Sequence, residues 1–161
     1  MRIETQGVNE TLALGRLLGE LAPPVPVMCF GLDGPLGAGK THLTRGIALG
    51  AAVADPTLIS SPTYVLMNIY EGPKPIYHLD AYRVGPEGFG GLGLEEILSG
   101  GEGGLVVVEW AERIAELLPA DTVWAKLAHG TSGEERVVEL AGGGERSREL
   151  VRQVEEAWAR R

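Results

Sequence analysis

The stretch that most restricts how this chain can fold runs from Val27 to Leu49. An apolar segment, Val27–Leu32, passes almost directly into Gly34–Pro35–Leu36–Gly37–Ala38–Gly39–Lys40–Thr41, and residues of helical character continue to Leu49 before Gly50. A buried strand, a glycine turn and a helix in immediate succession form the opening of an α/β layered unit. Glycines let consecutive backbone N–H groups curl round an anion. The helix starting near Lys40 aims the positive end of its dipole at the same point. Lys40 is placed to reach the β- and γ-phosphates of a nucleoside triphosphate, and the Thr41 hydroxyl is a hard oxygen donor suited to Mg²⁺. A plain glycine turn would leave Lys40 and Thr41 without a role, so a nucleoside triphosphate with Mg²⁺ is the expected ligand.

Such a loop needs a carboxylate at the end of a neighbouring strand to hold the metal's hydration shell. Glu109 fits, because the continuous apolar run Leu105–Val108 that precedes it reads as a strand buried on both faces; the alternative is a surface glutamate opening the next helix. In His78–Leu79–Asp80–Ala81–Tyr82–Arg83, strand alternation puts His78 and Asp80 on one face. Asp80 is a candidate to orient the attacking water, accept its proton or join the metal's outer shell. His78 alone is more often a structural histidine, and Arg83 could offset transition-state charge or pair with Asp80. Thr63, in Ser60–Ser61–Pro62–Thr63, is a candidate γ-phosphate sensor or a turn hydroxyl bonded to its own backbone.

The remaining elements follow from spacing and punctuation. Arg2–Thr5 reads as an edge strand, and Asn9 as the cap of a helix to about Leu21 that Pro23 and Pro24 end. Tyr64–Tyr70 and Pro75–Leu79 read as a hairpin. Gly85–Gly104 is glycine-dense, mobile or irregular, with a short helix around Leu94–Leu98. Thr122–Ala128 and Arg136–Leu140 read as a last strand pair. Gly142–Gly144 reads as a hinge before a polar helix, Glu145–Arg160. The expected architecture is α/β: a P-loop NTPase-like three-layer fold with a central mixed β-sheet flanked by helices, in one domain over residues 1–161.

The formal charge of −8 argues against a broad nucleic-acid surface, which needs clustered Lys and Arg. The single cysteine, Cys29, lies in an apolar run and reads as a small buried hydrophobe rather than a reactive thiol. The longest early apolar run is broken by Pro26 and is too short to span a bilayer. A protein of the cytoplasm, away from membranes, is expected.

Taken in order, Gly34–Thr41, Thr44–Arg45–Gly46, Ser61–Pro62–Thr63–Tyr64, His78–Arg83, Leu92–Gly93–Leu94–Glu95–Glu96 and Val108–Glu109–Trp110 resemble the TsaE ATPases of bacterial tRNA threonylcarbamoyladenosine synthesis, over about Thr11 to Arg136. The resemblance implies a small ATPase that works with a TsaB–TsaD complex, which modifies adenosine 37 of tRNA, so that tRNA is met only indirectly. It implies ATP and Mg²⁺ as cofactors. By position match Lys40 and Thr41 would take the phosphate and metal roles, Glu109 the Mg²⁺ role and Asp80 a catalytic role; with the reading of the residues themselves, the expected site is Gly34 to Thr41 for the nucleotide, Thr41 and Glu109 for the metal, and Asp80, Glu109 and Thr63 for catalysis. Two positions depart from the family: Pro35 stands where an acidic residue is usual, and His42 replaces a second threonine. Arg136 matches a family arginine without a derivable role.

Two other functions use the same loop. A small-molecule kinase would carry a closing lid with phosphate-clamping arginines, whereas Gly85–Gly104 contains no Lys or Arg. A nucleotide-gated adaptor would use ATP only to switch partner affinity.

Overall fold

The computed structural model describes residues 1–60, 66–99 and 102–161. Seven strands, β1 (Arg2–Thr5), β2 (Met28–Asp33), β3 (Met67–Tyr70), β4 (Ile76–Asp80), β5 (Leu105–Glu109), β6 (Thr122–His129) and β7 (Arg136–Gly142), form one sheet in the order β1-β7-β6-β2-β5-β4-β3. The central strands β6, β2, β5 and β4 run parallel, and antiparallel strands close both sides. The helices are α1 (Val8–Leu21), α2 (Lys40–Gly50), α3 (Leu94–Leu98) and α4 (Glu145–Ala159), with 3-10 turns at Pro56–Leu58, Pro86–Phe89 and Ala111–Leu117. The expected mixed sheet and α/β layering are therefore present.

Strand alternation sorts the apolar residues into two layers. Met28, Phe30, Leu32, Leu105 and Val107 pack with α1, α2 and α4 on one face. Cys29, Val106 and Val108 point the other way, into a cluster with Phe89, Leu94, Ile114 and Leu118. Every residue of β2 and β5 is buried, and each such Met, Phe, Leu or Val contributes roughly 1.5–3 kcal/mol. Cys29 is buried as expected, and desolvation pushes its thiol up to about 12.

The α1–α2 contact rests on glycines that the leucine spacing did not reveal. A Cβ on Gly15 would lie 2.4 Å from Leu43 O, and one on Gly19 would lie 2.0 Å from Ile47 O. From the other helix, Gly46 and Gly50 approach Leu12 O and Arg16 O at 2.4 and 2.1 Å by the same measure. The two backbones touch along the whole seam, which places the start of α2, and with it the loop, at a fixed depth against the sheet.

Two local expectations need correction. Asn9 does not cap α1. The N-cap is Gly7, and the Gln6 N–H instead donates to Glu10 Oε2 at 2.8 Å, so a first-turn carboxylate takes the capping role. Nor is Gly142–Gly144 a free hinge. Gly142 ends β7, Gly143 N–H donates to Thr122 O (2.9 Å), and a Cβ on Gly143 would lie 2.2 Å from Ala120 O. These glycines serve close packing rather than freedom. Among the described residues, no helix is long and apolar enough to cross a membrane.

Candidate nucleotide site

Parallel strands put their carboxyl ends on one edge of a sheet, and ligands gather there. In the register of this sheet, Glu109 faces Leu32 on one side and Asp80 on the other. The loop Gly34–Gly39 leaves β2 at the same edge. Its shape demands glycine at Gly34, where φ is +147° and a Cβ would lie 2.3 Å from Leu127 O, and at Gly39, which starts α2 in a left-handed conformation with φ +103°. No side chain caps α2, so the N–H groups of its first turn face outward for an anion.

Lys40 Nζ donates to Gly34 O (2.6 Å) and Pro35 O (3.0 Å) and lies 4.0 Å from the centre of the Trp110 ring. Desolvation lowers its pKa, against the pull of Glu109, Asp33 and Asp80. The ammonium is thus held by loop carbonyls and an aromatic face, both of which it can exchange for phosphate oxygens. Pro35 lacks an N–H but supplies a carbonyl to Lys40 and to Ala38 N–H (3.1 Å).

Glu109 is the hub. Its carboxylate accepts from Thr41 Oγ1 at 3.1 and 3.3 Å and from Thr44 Oγ1 at 3.5 Å, and its Oε1 is 2.9 Å from His78 Nε2. Toward an ionised carboxylate, which only accepts, the imidazole must be the donor. His78 is fully buried, and its Nδ1 has no partner among the described residues. The expected pairing of His78 with Asp80 on one strand face stands, and the structure adds that His78 fixes the orientation of Glu109. Asp80 Oδ1 accepts the Tyr82 N–H at 2.8 Å. Thr63 lies outside the described residues.

Thr41 and Glu109 offer hard oxygens in mutual contact beside a small cavity of about 220 Å³ that Gly37, Lys40 and Trp110 also line. That donor set fits Mg²⁺. Among the described residues no group of three His, Cys, Asp or Glu side chains could cage a metal alone.

Three features escaped sequence reasoning. Arg136 reaches across from β7, and its guanidinium donates to Gly37 O at 3.1 Å, bracing the loop. It also lines a larger cleft of about 480 Å³ with Gln6–Thr11, Gly39 and His42. His42 stands between the two cavities; its pKa is lowered by desolvation and by Arg45 and Arg136. Asp33, at the end of β2, accepts the Glu112 N–H at 3.0 Å, which ties the segment after Glu109 to the base of the loop. Burial raises its pKa, and Oδ2 has no partner among the described residues. Trp110 sits with Lys40 and Tyr82, 4.9 Å from the latter by ring centres, and does not line the cleft at Thr11. No motif points to the cleft, because its walls come from α1, α2 and the β6–β7 connection.

Fold and site together define a P-loop protein of NTPase-like α/β architecture. A family model described as threonylcarbamoyl adenosine biosynthesis protein TsaE matches residues 5–138. Proteins named tRNA threonylcarbamoyladenosine biosynthesis protein TsaE are similar to it: the one from Nostoc is 41% identical over 128 residues, covering 78% of this chain and 76% of that protein. The Bacillus subtilis protein is 34% identical over 144 residues, covering 89% and 87%. The crystal structure of Bacillus subtilis YdiB superposes with a TM-score of 0.79 at 30% identity, covering 98% of this chain and 95% of that one. The chain belongs to the TsaE family.

Proposed function

We propose that this chain is a Mg²⁺-dependent ATPase of tRNA N6-threonylcarbamoyladenosine formation, working in the cytoplasm with a TsaB–TsaD-type complex that holds the tRNA. The observation that carries the hydrolytic part is the register that sets Asp80 beside Glu109, with Glu109 bonded to Thr41 of the loop. The amides of the first turn of α2 and Lys40 would grip the phosphates, and the cleft at Thr11, His42 and Arg136 has room for the nucleoside. Bound Mg²⁺ would neutralise phosphate charge as the γ-phosphoryl group transfers. Glu109 and Thr41 hold the metal position, and His78 holds Glu109. Asp80 orients a water for in-line attack on the γ-phosphorus and takes its proton, as the bond to the bridging oxygen breaks to give ADP and phosphate. The net acidity supports a partner that contributes the cationic tRNA surface.

The test is ATP turnover with purified TsaB–TsaD. Wild type should hydrolyse slowly alone and faster with the complex, and Glu109→Ala should lower the stimulated rate by about 100-fold, the scale of losing a preorganised transition-state contact. Lys40→Ala should lose tight binding of a fluorescent ATP analogue while its unfolding midpoint stays put. Equal turnover by wild type and Glu109→Ala would leave a nucleotide-gated adaptor as the better reading.

A further inference from the structure

Another concave surface lies on the opposite side of the sheet from α1 and α2. It is a groove of about 450 Å³ between the 3-10 turn Pro86–Phe89, α3, and the end of the 3-10 turn Ala111–Leu117. Phe89 and Leu94 form an apolar floor, Leu117 stands exposed at its edge, and Glu95, Glu96 and Glu116 rim it. None of these three carboxylates takes part in an ion pair among the described residues. From Val84 to Glu112, the stretch that carries Glu95 and Glu96, the chain has no Lys or Arg; Arg83 and Arg113 flank it.

We propose that this groove docks a basic, partly apolar segment of a partner protein. An apolar floor rimmed by carboxylates is complementary to Leu- or Phe-type anchors flanked by Lys or Arg. The same rim repels phosphate, which rules against RNA and against an anionic membrane surface. The groove is also wired to the catalytic edge. Its two walls are the segments that leave β4 after Asp80 and β5 after Glu109, and these are joined at their start by Ala81 N–H to Glu109 O (3.0 Å). Asp33 holds the second wall to the loop through the Glu112 N–H. A segment seated here would stiffen both connections at once, so occupancy and turnover should be coupled. The proposal rests on the partner reading above only in naming which protein brings the segment.

Two measurements on the full-length chain test it. In the first, a short peptide of alternating Leu and Lys is titrated into isotope-labelled protein. The amide shifts should centre on Gly90, Gly93, Glu95 and Glu116. They should weaken with salt and need about tenfold more peptide in Glu95→Lys/Glu96→Lys/Glu116→Lys, the scale of losing several rim charges, while a Leu/Glu peptide causes none. Shifts centred on α4, or no shifts, overturn the proposal. In the second, binding of TsaB–TsaD should weaken about tenfold in the same triple variant, with basal ATPase unchanged, and should be unaffected by Glu145→Lys/Glu155→Lys on α4. Undiminished binding by the triple variant overturns the groove. If wild type itself fails to bind TsaB–TsaD, the partner reading fails and the peptide result alone decides the groove. Self-association that the triple variant abolishes would make a second copy the occupant and overturn it as well.

Discussion

The two faces of the sheet use glycine in opposite ways. On the face covered by α1, α2 and α4, Gly15, Gly19, Gly46 and Gly50 bring two helices so close that an added Cβ would strike backbone oxygen at 2.0–2.4 Å. On the other face, no long helix covers the strands among the described residues; the layer is built from 3-10 turns and the five-residue α3. There Gly91 has nothing within 4 Å of where a Cβ would stand. The first face sets the rigid position of the phosphate loop. The second leaves a concave acidic surface beside the strands that carry Asp80 and Glu109. Glycine content alone says nothing about mobility; what decides is whether another backbone occupies the space that the side chain vacates.

The largest expected effect that would break this contrast is in the seam. Gly19→Ala gains about 1 kcal/mol of helix propensity, but its Cβ falls 2.0 Å from Ile47 O, and forcing the helices apart costs about 3 kcal/mol or more. A net loss of about 2 kcal/mol should appear as a lower urea midpoint with unchanged slope. A neutral result would mean that α1 can lift from α2 freely and that the seam does not hold the loop.

Asp33 sharpens the boundary between the two faces, because it joins the base of the loop to the segment after Glu109. Asn in its place still accepts the Glu112 N–H and removes a buried charge, while its amide N–H₂ stands where Oδ2 has no partner among the described residues, so Asp33→Asn should gain on wild type by no more than about 1 kcal/mol at neutral pH. The sign follows from the raised pKa. Between the unfolded and the folded value the native state holds the extra proton, so wild-type stability falls as pH rises through that window. The advantage of Asn should therefore grow from acid to neutral pH in thermal melts, and a constant gain would contradict it. The smallest effect belongs to the open face: Gly91→Ala should change stability by no more than about 0.5 kcal/mol, and a larger loss would show that Gly91 is packed after all.

Much of the placement of the candidate site is legible in the sequence. The loop, its flanking strand and helix, the ends of β5 and the bounds of α3 carry local signals: apolar runs, glycine turns and helical spacing. Asp80 and Glu109 were legible because each ends an apolar strand. Asn9 misled because a good capping residue was outdone by Gly7 backed by the Glu10 carboxylate. Gly142–Gly144 misled because a glycine run looks the same whether it is loose or tightly packed. Arg136, His42 and Asp33 could not be assigned roles, since their partners lie far away in the chain: Arg136 meets Gly37 from β7.

Amino-acid sequence by itself determined the phosphate loop, the buried strands and the two carboxylates, because turn geometry and burial periodicity act over a few neighbouring residues. Tertiary structure alone decided that Asp80 and Glu109 stand in register, that His78 and Thr41 converge on Glu109, and that one face is sealed by helices while the other stays open. Those are matters of strand order and backbone approach between segments distant in the chain, which no local pattern encodes.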